Sequence, residues 1–152
     1  MKKLLIFFTA SLTIFGQSCN SNSNCPSQIN NSLGTYIPCN QYACNVQLDV
    51  GDILYSPISV EIKNSVSCDY VDIKLLGAAT GTLKAKFQGT IPGMGNLFLI
   101  SDGQNYNAGG RTYRTYNSGT LYVREAELSL GVNSFSTNTD NDLGGLAYLA
   151  CK

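Results

Sequence analysis

From Val46 onward the chain alternates apolar and polar side chains with a period of two, and that alternation leaves little choice of fold. Leu83-Lys84-Ala85-Lys86-Phe87 is the clearest stretch, with Leu, Ala and Phe on one side and both lysines on the other. A strand points successive side chains to opposite faces, so this is the pattern of a half-buried strand. Residues 46–50, 58–63 and 71–75 repeat it, with Gly51-Asp52 and Asn64-Ser65 as turns and Gly77 to Gly81 as a break. Pro57 confines the start of the second to an edge, a bulge or a bend. Residues 97–100 form a short apolar run suited to a central strand, and 112–116 another short strand. In 119–132, Leu121 and Val123 share one parity while Leu128, Leu130 and Val132 share the other. A bulge, or a bend between two strands, is therefore expected near Glu125-Ala126.

Helical periodicity is missing from this region. About eight short strands separated by glycine, asparagine and proline turns predict an all-β domain over 46–152, an antiparallel β-sandwich or jelly roll. An immunoglobulin-like sandwich is the alternative, but the chain contains no Trp to pack between two cysteines.

The first 16 residues read as an export signal: Lys2 and Lys3 precede an apolar run too short to span a bilayer, and small and polar residues follow. Gly16-Gln17-Ser18-Cys19 also resembles a lipoprotein cleavage box, with Gly16 where Leu is usual, so anchoring through a lipid on Cys19 is the alternative to plain secretion. Six cysteines (Cys19, Cys25, Cys39, Cys44, Cys68, Cys151) lie beyond the leader, an even set that suits disulfides formed outside the cytosol. Six cysteines allow 15 pairings; Cys151 is expected to join Cys68 or an N-terminal cysteine. Residues 17–45 hold four of the six among Ser, Asn, Gln and Pro, and read as a coil-like segment held by covalent links.

With no His anywhere, Ser-His-Asp and Cys-His machinery is excluded. Without Lys2 and Lys3 the chain carries eight basic and ten acidic side chains, which disfavours nucleic acid. Later transmembrane spans are not expected. Glu125 and Glu127 stand two apart and would share a face on an unbroken strand, the raw material of a carboxylate-based hydrolase. The expectation is nonetheless a non-enzyme.

Two stretches offer ligand chemistry. The polar, glycine-rich segment 102–110 and the strand after it bring together Asp102, Asn105, Tyr106, Arg111 and Tyr113, with Arg114 and Tyr116 close by. Aromatic rings stack on apolar sugar faces while amides, carboxylates and guanidinium groups bind hydroxyls. Further on, Asn138, Asp140, Asn141 and Asp142 place oxygen donors close together before Gly144, as Ca²⁺ requires, although the spacing is not that of an EF-hand. The same residues also suit a turn in which Asp and Asn bond their own backbone.

Taken in order, Gly81-Thr-Leu-Lys-Ala-Lys-Phe-Gln-Gly89, Asn96-Leu-Phe98, Ser118-Gly119-Thr-Leu-Tyr-Val and Asp140-Asn141-Asp142-Leu-Gly144 resemble part of the calcium-dependent galactose-binding bacterial lectins. The resemblance covers about the last half of the chain. It implies a galactose-binding-domain-like jelly roll in which Asp140, Asn141 and Asp142 help hold a calcium ion that coordinates sugar hydroxyls. The expectation is a secreted binding module for carbohydrate or another cell-surface ligand. The alternatives are a structural or adhesive subunit that assembles through strand edges into homo-oligomers or filaments, and the small hydrolase.

Overall fold

A computed structural model describes residues 25–38, 44–49, 52–55, 58–138 and 143–152. It holds one short helix, α1 (Ser27–Ser32), and eleven strands among those residues: β1 (Gly34–Pro38), β2 (Cys44–Asp49), β3 (Asp52–Tyr55), β4 (Ile58–Asn64), β5 (Tyr70–Gly77), β6 (Ala79–Ile91), β7 (Gly95–Ile100), β8 (Asn105–Ala108), β9 (Arg111–Arg124), β10 (Glu127–Ser136) and β11 (Leu143–Cys151). The domain is all-β and antiparallel, as the alternation requires. Its strands close on themselves instead of stacking as two sheets: the order β1-β4-β5-β6-β7-β9-β10-β11 returns to β1, giving a closed eight-stranded barrel. The expected sandwich gives way because β1 pairs β4 on one side and β11 on the other, which closes the ring, while β2 and β3 continue the sheet beyond β11.

That closing strand lies inside the segment read as coil. Two local features explain it. Tyr36 points inward and is fully buried, donating its hydroxyl to the Ser32 carbonyl at 2.9 Å. On the opposite side of the seam the buried Tyr148 of β11 donates to the backbone carbonyls of Ile58 and Tyr36. The helix α1 sits at the end of the barrel where β1 begins. Ile29 and Ser32 are buried, and Asn96 donates to the Gln28 carbonyl at 2.9 Å and to Ser32 Oγ at 3.1 Å. Cys25 and Cys68 form a disulfide that ties the start of α1 to the β4–β5 connection. Cys151 is disulfide-bonded too, but Cys68 is not its partner, because Cys68 is taken by Cys25. Residues 1–24, with the expected leader and Cys19, lie outside the described residues, as does Cys39; Cys44 is described only as the start of β2.

Inward positions form one apolar cluster. Val60 and Ile62 of β4, Val71, Ile73 and Leu75 of β5, Leu83 and Ala85 of β6, Phe98 and Ile100 of β7, and Leu121 of β9 are each at most 1% exposed. Fully burying a Val, Leu, Ile or Phe side chain contributes about 1.5–3 kcal/mol. The outward face of β4–β6 is charged: Lys63 pairs across to Asp72 and Asp72 to Lys84, while Glu61 sits opposite Lys74. A wall that carries this much charge outside and apolar side chains inside is the reverse of a lipid-facing barrel. No helix among the described residues is long and apolar enough to cross a membrane.

The parity change at Glu125-Ala126 is a hairpin. Arg124 of β9 pairs Glu127 of β10 around a two-residue turn, and Glu125 has a φ of 51°. The bulge falls earlier, where Asn117 and Ser118, with φ of 55° and 44°, are extra residues in β9 between the pairs Thr120–Gly131 and Tyr116–Asn133.

Candidate functional site

The two tyrosines of the expected sugar platform in 102–113 are not on the surface. Tyr106 of β8 and Tyr113 of β9 are 1% and 0% exposed, and their rings stack at 5.6 Å inside the barrel. The alternation that makes β8 a strand turns both tyrosines inward, so neither offers a face to an outside ligand. Tyr106 shares a hydrogen bond of 2.6 Å with Ser134 Oγ, and its hydroxyl pKa is pushed up to about 12, chiefly by burial. Asp102 supports the backbone, its Oδ1 accepting from the Ser118 amide at 2.6 Å and so holding the β9 bulge. Neighbouring Gln104 bonds the Lys84 amide and carbonyl at 2.6 and 2.8 Å, standing in for a strand beside β6 where β7 has ended. Asn105 is exposed opposite Arg114, and Arg111 is half-buried opposite Ala108. Of the five expected residues, the structure brings the two tyrosines together in the core, with Asp102 and Asn105 exposed and Arg111 half-buried.

Of the calcium candidates, Asp140, Asn141 and Asp142 lie outside the described residues. Asn138 is exposed, its Oδ1 accepting from Thr137 Oγ1 at 3.2 Å. Among the described residues no cluster of acidic or cysteine ligands could hold a metal ion. The two glutamates do not form a same-face pair, because Glu125 is in the hairpin turn while Glu127 pairs with Arg124 at 2.7 Å in the open.

Concavity and recognition groups come together instead on the outer face of β9, β10 and β11. Strand register sets the outward side chains in rows. Leu97, Tyr122, Ser129 and Leu149 form one row across β7 and these three strands. Thr120, Gly131 and Ala147 form the next, then Tyr116, Asn133 and Gly145, then Arg114, Phe135 and Leu143. The two middle rows are low because two of their members are glycine and one is alanine. The result is a trough of about 540 Å³ lined by Ser118, Thr120, Gly131, Asn133, Leu143 and Ala147, among others. The rows flanking it carry apolar and aromatic side chains beside Ser129 and Arg114: Leu149 and Leu143 are about half exposed, and the Phe135 ring lies 6.1 Å from that of Tyr116 in the adjoining row.

The glycines differ in what they protect. A Cβ on Gly145 would meet the Val132 carbonyl at 2.7 Å, so that glycine permits close strand packing. A Cβ on Gly131 would stand 3.6 Å from Thr120 Oγ1, an ordinary contact, so Gly131 keeps the trough open without being needed by the fold. Among the described side chains of these rows only Arg114 is charged. It leans toward the 101–104 segment, where a Cβ on Gly103 would be 3.3 Å from Arg114 Nη2.

The sequence marks none of Thr120, Tyr122, Gly131, Asn133 and Ala147 as a ligand-binding residue. The available signal was the uncharged outward parity of 129–135 and 143–149, against lysine and acid at the same parity in 61–86.

The fold and trough define a closed antiparallel barrel with a filled interior and an outer concavity whose described lining carries no charge. No family model, curated protein or solved structure matches the chain.

Proposed function

We propose that the protein is an exported binding module that takes carbohydrate in the trough on the outer face of β9–β11. The carrying observation is the composition of that concavity: hydroxyl and amide groups of Ser118, Thr120 and Asn133 beside a Tyr116–Phe135 aromatic pair. Sugars offer the matching chemistry, hydroxyl edges for polar groups and C–H faces for rings. An interior carrier role fits less well, since the inward positions are taken by packed side chains.

Glycan-array binding of the exported protein tests this. The expected result is retention of a glycan set that Gly131→Val loses by filling the trough and Asn133→Ala weakens about tenfold, the size of one or two lost hydrogen bonds. Absence of any bound glycan overturns it. Repeating the array with a chelator asks whether calcium assists, and mass spectrometry of the exported chain asks whether Cys19 carries lipid.

A second reading rests on β3, whose only partner among the described strands is β2. An open edge is a template for another strand, which favours an assembling or adhesive subunit. Filaments or discrete oligomers in negative-stain images support it, and a monomer at high concentration removes it.

A further inference from the structure

Beyond the trough on either side, the next rows of outward side chains carry aromatic rings. Ser129 and Phe135 mark these flanking rows on β10, six residues apart. At the rise of a strand those rows are separated by about 20 Å. One row presents Tyr122 with Leu97 and Leu149, the other Phe135 with Leu143 and the neighbouring Tyr116. Between them the floor offers Thr120 and Asn133 but no charge among the described side chains.

We infer that the occupant is a linear, uncharged oligosaccharide long enough to stack on Tyr122 at one end and Phe135 at the other. This rests on the carbohydrate reading and narrows it. A single sugar would reach one aromatic row only. An anionic chain would lie beside neutral hydroxyls and amides with Arg114 turned aside, so charge adds desolvation without a partner. The opposite wall, with Lys63, Lys74 and Lys84 exposed, is where an anionic polymer would meet cations.

Calorimetric titration of the full exported chain with a neutral oligosaccharide series of increasing length, taken from the class retained on the array, tests the inference. Affinity is expected to rise at least tenfold from monosaccharide to the length that spans both rows and then level off. Tyr122→Leu and Phe135→Leu keep apolar bulk at half-exposed positions while removing the ring. Each should weaken the long ligand several-fold, while a short ligand responds to only one of them. Equal affinity for monosaccharide and long oligosaccharide overturns the two-row inference and leaves the carbohydrate reading intact. Equal or tighter binding of a uronic-acid chain of matched length overturns the neutral assignment. No binding at any length removes both.

Discussion

At the scale of single residues, two side chains carry strain or burial that can be measured. Glu125 is held at a φ of 51° in the first central position of the β9–β10 turn, where glycine is the residue of choice. A left-handed conformation costs a non-glycine residue about 1–2 kcal/mol. Glu125→Gly is therefore expected to stabilise the protein by up to about 1 kcal/mol, read as a higher midpoint in urea. Tyr106 acts in the other direction. Its hydroxyl and Ser134 Oγ satisfy each other within the core. Tyr106→Phe would leave Ser134 buried without this partner and should destabilise by about 1–3 kcal/mol. The same hydroxyl links stability to alkaline pH. Its pKa of about 12 lies above the ordinary tyrosine value of 10.0, so the folded state keeps a proton that the unfolded state releases. Its stabilising contribution is complete below pH 10 and declines as pH rises through about 12, by an amount on the order of 3 kcal/mol. Burial also raises Tyr36, in the same sense. Denaturant melts between pH 8 and 12 should show this fall, and Tyr106→Phe should flatten it.

At the scale of elements, the clamp on α1 and the trough floor make separable predictions. The Cys25–Cys68 bond closes a loop of 43 residues in sequence separation, and α1, with six residues, is too short to be stable alone. Replacing both cysteines with serine should cost about 2–4 kcal/mol, measured by chemical denaturation. Gly131→Val should leave that midpoint unchanged or raise it, since its Cβ meets no obstacle and a β-branched residue suits a strand. Loss of glycan binding with undiminished stability separates a site from a scaffold. Most strands were legible in the chain because Ile58 to Lys63, Val71 to Leu75 and Leu83 to Phe87 alternate cleanly. β8 was not, because Asn105-Tyr106-Asn107-Ala108 reads as loop when glycines flank it, and only pairing with β9 makes it a strand. β1 was hidden for a related reason: Thr35-Tyr36-Ile37 is too short to signal until both neighbours exist. The trough was hidden because a concavity made by missing side chains has no motif.

At the scale of the whole molecule, the barrel carries a charged wall over β4–β6 and, over β9–β11, a concavity with no charged side chain among its described lining, around one core. The number of strands said little about whether the sheet would close. Closure was settled by contacts between residues more than a hundred positions apart, Ile37 with Cys151 and Pro38 with Ala150. Such contacts carry a loop-closure entropy that local pattern cannot reveal, and they slow folding. Removing residues 143–152 takes a stave from the ring and leaves β10 and β1 with open edges. The shortened chain should lose near-ultraviolet circular dichroism and bind a hydrophobic dye.

The seam has one more implication. Lys152 lies against Gly34 and places its ammonium 5.7 Å from the Tyr36 ring, so the tail of β11 and the head of β1 are spatial neighbours. The order of translation is thus separable from the architecture. A circular permutant that links Lys152 to Cys25 through a flexible tether long enough to pass α1, and begins at Gly110 in the exposed β8–β9 turn, should close the same barrel and melt within a few degrees of the parent.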